Sequence, residues 1–217
     1  MLYYAQARRM MVDCQLRTFD VNDNAVLDAF DSVPREAFVP KNQESFAYID
    51  QPLRLGSAGS DLRVTPAPMV LGRMIQALKI QPGVAALDVG TGYGYASVLM
   101  AQLGATVTAI ESIPELVAAA KERLAGKAKV IEGPLRAGAA GDGPFDAILV
   151  NGRVETRPQT LLDQLKDDGR LVCVFGPDRG AKVTVFVRAG NAFGSRPLFD
   201  ASLPALADFA QEASFAF

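Results

Sequence analysis

Short apolar runs and amphipathic segments alternate along the second part of the chain. The runs are rich in valine, isoleucine and leucine, which favours buried strands. They lie at 84–89, 105–111, 127–133, 145–152 and 169–176. Between most of them apolar residues recur at helical spacing, which predicts helices over about 94–103, 114–125 and 158–166. Apolar strands that alternate with helices are typical of a parallel sheet covered on both faces.

The two ends of the chain follow other patterns. Residues 181–201 alternate, turn at a glycine-containing stretch and alternate again, which predicts an antiparallel hairpin at one edge of the sheet. Near the N-terminus, helical spacing predicts helices around 7–14, 26–33 and 70–78, whereas 38–66 has no clear period and is expected to be a loop. We therefore predict an α/β fold: a doubly wound, mostly parallel, Rossmann-like sheet with a C-terminal antiparallel hairpin and an N-terminal helical cap.

Composition narrows the possible functions. The chain has 217 residues, a formal net charge of −2 and 49% hydrophobic residues, which suits a soluble globular domain and gives no basic face for nucleic acid. No apolar run approaches the roughly 18 residues of a transmembrane helix, and the N-terminal stretch lacks the pattern of a signal peptide. We therefore expect no membrane contact and a cytoplasmic location. The sequence has no histidine, which excludes Ser-His and Cys-His pairs and His-ligated metals, and no metal site is predicted.

A glycine-rich turn, "LDVGTGYGYAS" (87–97), joins the first strand of the predicted sheet to a helix. Ligands of open parallel sheets bind beyond the carboxyl ends of the strands, and glycine lets the backbone approach them closely. An acid two residues before the first glycine disfavours a pyrophosphate and favours a ligand with an ammonium group, such as S-adenosylmethionine. The residues of this turn predicted to bind it are Asp88, Gly90, Thr91, Gly92, Tyr93 and Gly94.

The ends of the next two strands complete the predicted cofactor site. Glu111 ends the second strand, where a carboxylate can accept hydrogen bonds from both ribose hydroxyls. Ser112 matches a capping box for the following helix, and contact with adenine beside Ile113 is its second possible role. The turn after the third strand either meets the adenine edge through its backbone or is an ordinary turn. It comprises Gly133, Pro134 and Leu135.

Several stretches of the chain resemble the protein-L-isoaspartate O-methyltransferase family. They are "MMVDCQLRTFDVNDNAVLDAFDSVPREAFVP" (10–40), "AYIDQPLRLG" (47–56), "LDVGTGYGYAS", "ESIPEL" (111–116), "FDAILVNG" (145–152) and "LLDQLKDDGRLVCVFG" (161–176). The cofactor motif is shared by many methyltransferases, whereas the N-terminal stretch is far more specific. The resemblance covers most of the chain and is poor over about the last forty residues.

This resemblance implies a function and a domain organisation. The family uses S-adenosylmethionine to methylate the α-carboxylate of isoaspartyl residues in aged proteins, and the ester then collapses to a succinimide. Isoaspartyl-containing proteins are therefore the expected partners. A carboxylate nucleophile has a pKa near 4 and needs no histidine base. We expect a single domain over 1–217, with a helical cap and substrate loop in 1–80 and a cofactor-binding core in 81–217.

The loop that corresponds to the family's active site departs from the family pattern. In "GSAGSDLRVTPAP" (56–68), Thr65 aligns with the family's serine and Arg63 with its threonine. Thr65 keeps a hydroxyl for the substrate carboxylate, whereas Arg63 is either a second carboxylate ligand or a solvated charge. Asn151 replaces a small or hydroxyl residue typical of the family and either orients a different nucleophile or caps a turn. Pro134 replaces an aspartate expected to meet adenine.

Two other functions stay open from the sequence alone. The altered loop and Asn151 are compatible with a methyltransferase of the same fold that acts on a small-molecule acceptor. A non-catalytic S-adenosylmethionine-binding module would retain Asp88 and Glu111 and lack the acceptor site.

Overall fold

The computed structural model describes residues 3–59 and 61–211. Helices α1 to α6 are Tyr4–Met11, Asn24–Ser32, Pro68–Leu78, Tyr95–Gln102, Pro114–Leu124 and Gln159–Leu162. Strands β1 to β9 are Leu53–Ala58, Asp61–Thr65, Ala85–Val89, Thr106–Glu111, Lys129–Glu132, Phe145–Val154, Leu165–Phe175, Lys182–Ala189 and Ala192–Asp200. None of the helices in the described ranges is both long and apolar enough to cross a membrane.

The main sheet has seven strands in the order β5-β4-β3-β6-β7-β8-β9. The first five strands in this order, from β5 across to β7, pair in parallel. Strands β8 and β9 add an antiparallel hairpin at one edge. The predicted α/β fold is confirmed. The chain passes from β3 to β4 on one side of β3 and later returns to β6 on the other side. The carboxyl ends of β3 and β6 therefore border the crevice where open α/β sheets bind ligands.

Two local predictions were wrong. The segment 38–66, expected to be a loop, contains the antiparallel hairpin β1–β2, whose tip includes Ser60, outside the described residues. The helix expected over 158–166 is only one turn long, and β7 begins at Leu165. Leu161, Leu162 and Leu165 are all fully buried, and their spacing imitates one face of a helix. Leu165 nevertheless belongs to β7.

The N-terminal helices pack on one face of the main sheet. Helix α1 continues into a π-helical turn at Val12–Leu16, and buried residues of α1 to α3 join α4 and the sheet in one apolar cluster. At the centre of this contact, the rings of Phe30 and Tyr95 meet edge to face with centroids 6.0 Å apart. A second buried cluster covers the opposite face of the sheet and includes Phe145, Leu161 and Phe186. Both clusters hold the crevice strands in place.

Candidate active site

The glycine turn after β3 brings the hairpin β1–β2 into direct contact with the sheet. Gly92 has a φ of 58°, and a Cβ built on it would lie 2.4 Å from Leu55 Cδ1 of the hairpin. Glycine thus meets both a backbone requirement and a packing requirement at this position. As a result, the loop expected to bind substrate lies directly over the turn expected to bind cofactor.

Asp88 lies at the end of β3 and is fully buried. Its carboxylate accepts hydrogen bonds from Thr91 Oγ1 at 2.8 Å, Ser97 Oγ at 2.5 Å and the side-chain amide of Asn151. Burial raises the pKa of Asp88 to about 6, and the three hydrogen bonds oppose part of that rise. Sequence reasoning missed Ser97, although it ends the quoted glycine stretch.

Glu111 lies at the end of β4 and is fully buried. Its Oε2 accepts from the main-chain N of Gly92 at 3.0 Å. Its Oε1 accepts from the main-chain N atoms of Ser112 and Ile113, at 2.8 Å and 3.2 Å, and from Arg63 Nε at 3.1 Å. The two acids predicted from the sequence thus flank the same glycine turn.

Arg63 points into the cleft and is only 1% exposed, so it is not a solvated loop charge. Besides Glu111, its guanidinium donates from Nη2 to Ser112 Oγ at 2.9 Å and from Nη1 to the carboxylate of Asp61. These contacts tie the hairpin to the end of β4. The guanidinium therefore lies where we expected the ribose.

The capping box predicted at Ser112 was wrong. Helix α5 begins at Pro114 with Ile113 as its N-cap, and no side chain caps it. The Ser112 hydroxyl accepts a hydrogen bond from Arg63 instead. Ile113 packs against Leu55 and Tyr93, which makes an apolar wall beside Glu111.

The turn after β5 lies next to the glycine turn. The main-chain N of Gly133 donates to the main-chain O of Glu111 at 3.1 Å. Leu135 is fully buried, and its Cδ1 lies 3.6 Å from a Cβ built on Gly90. The sequence places Pro134 between them, and it has no N–H to donate. Gly133 and Leu135, on either side of Pro134, therefore extend the cleft beyond Glu111.

Thr65, at the end of β2, and Asn151, in the second half of β6, line a small cavity of about 10 Å³ over the glycine turn. Asn151 uses its amide N–H for Asp88, and its Oδ1 is buried with no hydrogen-bond partner among the described residues. Such an acceptor fits a ligand N–H or O–H group. Asn151 therefore lies at the cleft with its side chain bonded to Asp88, and it does not cap a turn.

Arg35 lies behind this cavity and was missed from the sequence, although it belongs to the quoted N-terminal stretch. It is fully buried and donates from Nη1 to Thr65 Oγ1 at 3.4 Å and from Nη2 to the main-chain O of Pro66 at 2.8 Å. Its guanidinium also lies 5.0 Å from the ring centroid of Tyr95. Arg35 thus fixes the end of β2, where the Thr65 hydroxyl faces the cavity.

The chemistry of the cleft fits S-adenosylmethionine. The cleft offers buried carboxylates and the unpartnered Oδ1 of Asn151, which can accept hydrogen bonds from an ammonium group and from ribose hydroxyls. The glycines of the turn carry no side chains, so a ligand can approach the backbone closely. A cavity of about 10 Å³ holds about one water molecule. It is far smaller than a nucleoside, and Leu55 of the hairpin is one of the residues that line it.

Residues 6–196 match the family model of protein-L-isoaspartate(D-aspartate) O-methyltransferase. The chain belongs to this family. It is thus an S-adenosylmethionine-dependent O-methyltransferase of the protein-L-isoaspartate type, as the sequence predicted. The match covers the cap, the hairpin β1–β2, the glycine turn and the sheet up to β9.

Relatives named protein-L-isoaspartate O-methyltransferase support the assignment along most of the chain. The one from Methylorubrum extorquens is 41% identical over 196 residues, which cover 88% of this chain and 84% of that protein. The one from Methanoculleus marisnigri is 37% identical over 195 residues, which cover 88% and 87%.

Solved structures show the same fold. A putative protein-L-isoaspartate O-methyltransferase from Plasmodium falciparum, in complex with S-adenosyl-L-homocysteine, has a TM-score of 0.79 at 22% identity. The superposition covers 93% of this chain and 98% of that one.

Proposed function

We propose that this chain methylates the α-carboxylate of isoaspartyl residues in aged proteins, with the cofactor held between β3 and β4 and the acceptor held by the end of β2. One observation carries the proposal. The hydroxyl of Thr65 on β2 and the amide of Asn151 on β6 line one cavity directly above the glycine turn that joins the two buried acids. That arrangement suits the transfer of a group from a nucleoside below to an acceptor above.

Asp88 and Glu111 are proposed to hold S-adenosylmethionine, with Asp88 and the Oδ1 of Asn151 near its ammonium and Glu111 at its ribose. The cofactor supplies an electrophilic methyl group on a cationic sulfur. The complex of the Plasmodium falciparum relative with S-adenosyl-L-homocysteine supports this choice of ligand. The apolar wall of Leu55, Tyr93 and Ile113 suits the uncharged part of a nucleoside.

Thr65 is proposed to orient the acceptor. Its Oγ1 accepts from Arg35, which leaves the hydroxyl proton available for a carboxylate oxygen of the substrate. That carboxylate is ionised at neutral pH, so the residues need only align it with the methyl group and exclude water. The hairpin covers the cleft and performs the exclusion. The reaction therefore proceeds without a histidine base.

Paired peptides test the proposal. An isoaspartyl peptide should be methylated by this protein, and the same peptide with a normal aspartyl residue should not. Incorporation of labelled methyl groups measures both. Equal labelling of the two peptides, or of neither while S-adenosyl-L-homocysteine still binds, would contradict the isoaspartyl assignment. Cofactor turnover in the presence of small-molecule acceptors would then favour the alternative acceptor class.

A further inference from the structure

Oε1 of Glu111 is the crowded oxygen of this carboxylate. It accepts three hydrogen bonds, whereas Oε2 accepts one, and a carboxylate oxygen offers about two acceptor positions. Three donors are main-chain N–H groups held in place by the glycine turn and the end of β4. The fourth is the side chain of Arg63. A ribose that donates one hydroxyl to each oxygen of Glu111 therefore has to displace Arg63 from Oε1, because Arg63 is the one side chain among the four donors.

Arg63 can leave Glu111 without becoming an isolated buried charge. Its Nη1 pairs with Asp61, which lies two residues earlier on the same strand. Its Nε and Nη2 are the donors now used by Glu111 and Ser112. Once released, these two atoms form one edge of the guanidinium with two parallel N–H bonds, which matches a carboxylate.

The released edge is close to the proposed acceptor position. Arg63 and Thr65 are two residues apart on β2 and therefore lie on the same face of the strand. A Cβ built on Gly90 would lie 4.0 Å from Arg63 Nε and 3.7 Å from the main-chain O of Asn151. The guanidinium thus lies over the glycine turn, between Glu111 and the cavity of Thr65.

We propose that Arg63 exchanges between two carboxylates: it pairs with Glu111 until the cofactor's ribose replaces it, and it then binds the carboxylate of the methyl acceptor. This inference rests on the proposed isoaspartyl function. Arg63 is then a positioning residue that couples the two ligands, because cofactor binding frees the group that binds the acceptor. By linkage, each ligand increases the affinity for the other by the same factor.

Calorimetric titration with S-adenosyl-L-homocysteine tests the first half of the exchange. In Arg63→Met no guanidinium has to be displaced, so we expect the Kd for S-adenosyl-L-homocysteine to fall about 5-fold or more. Arg54→Ala, an exposed arginine of the same hairpin, should leave the Kd unchanged. The gain from Arg63→Met should disappear in a Glu111→Ala background, because the two residues no longer compete.

The coupling between ligands tests the second half. In the wild type, a saturating isoaspartyl peptide should tighten S-adenosyl-L-homocysteine binding about 5-fold or more, and in Arg63→Met it should not. Arg63→Lys keeps the positive charge and loses the two-donor edge. It should bind S-adenosyl-L-homocysteine like the wild type and show no coupling, and thermal melts of all variants establish that they are folded.

Two results would overturn the exchange. One is an unchanged or weaker affinity of folded Arg63→Met for S-adenosyl-L-homocysteine. The other is wild-type coupling in both Arg63 variants. Failure of the wild type to methylate an isoaspartyl peptide would instead contradict the proposed acceptor. The titrations without peptide would still decide whether Arg63 competes for Glu111.

Discussion

Asp88 is a buried acid whose ionisation opposes folding. Its pKa is about 6 in the folded chain, because burial outweighs three hydrogen bonds, and near 4 in the unfolded chain. Between these pH values the folded state holds a proton that the unfolded state has released. The contribution of Asp88 to the free energy of unfolding is therefore complete below about pH 4 and falls as the pH rises through about 6.

Asp88→Asn should remove this dependence. We expect the free energy of unfolding of the variant to gain about 2 kcal/mol relative to the wild type between about pH 4 and about pH 7. Urea unfolding of both proteins at the two pH values measures the gain, and other titrating groups cancel in the comparison. A difference between the two proteins that is the same at both pH values would show that Asp88 is already ionised when buried.

Thr65 allows a test of the acceptor side alone. Thr65→Val keeps the shape and removes the hydroxyl, so we expect turnover of an isoaspartyl peptide to fall about 10- to 100-fold, the range for one hydrogen bond to a charged group. Affinity for S-adenosyl-L-homocysteine should hold, and Thr65→Ser should restore most of the turnover. If Thr65→Val turned over the peptide at the wild-type rate, the hydroxyl of Thr65 would have a structural role only.

The sequence identified the residues of the site better than it identified their contacts. Asp88 and Glu111 are recognisable because they end strands beside a glycine turn, and the structure brings them to that turn. The partners of Arg63 were not predictable, because they depend on how the hairpin folds over the turn. Arg35 was missed because a charged residue in a helical cap is usually exposed.

At the level of elements, the main difficulty for sequence reasoning was the hairpin β1–β2. Its buried face carries Arg63 and Thr65 in addition to apolar residues, so the alternation that marks a half-buried strand is hidden. The strands of the main sheet were located to within about four residues at each end, because apolar or alternating runs mark them. Polar residues that are buried at a functional site therefore make their strand hard to recognise from the hydrophobic pattern of the sequence.

The start of helix α4 depends on a glycine whose backbone is in the left-handed region, which glycine adopts without strain. Gly94 has a φ of 91°, and a Cβ built on it would lie 2.8 Å from Leu124 Cγ in α5. Gly83 has a φ of 87°, and a Cβ there meets nothing within 4 Å. The two positions therefore share a conformational requirement and differ in packing.

Alanine substitution should separate the two effects. Gly83→Ala should cost about 1 to 2 kcal/mol of the free energy of unfolding, the conformational penalty alone. Gly94→Ala should cost about 1 to 3 kcal/mol more, because α4 and α5 also have to move apart. Urea unfolding measures both. Equal costs would indicate that Leu124 adjusts without penalty.

Across the whole molecule, the cap and the sheet share one buried cluster. We therefore propose that they fold together as a single domain. Phe30→Ala in α2 should lower the free energy of unfolding by about 3 to 5 kcal/mol, the usual cost of a deleted core phenylalanine. Far-UV circular dichroism and tyrosine fluorescence should report the same urea midpoint in the variant. Two separate midpoints would show that the cap unfolds independently.

The antiparallel hairpin at the sheet edge also affects how copies of the chain meet. Strand β9 is the last in the sheet order, and an outermost strand offers unpaired main-chain groups to other chains. Here it contains Pro197, which has no N–H, and its register with β8 shifts beside Val183 and Thr184. Both features interrupt a regular outer row of main-chain donors and acceptors, so we expect this edge to resist strand addition by other chains.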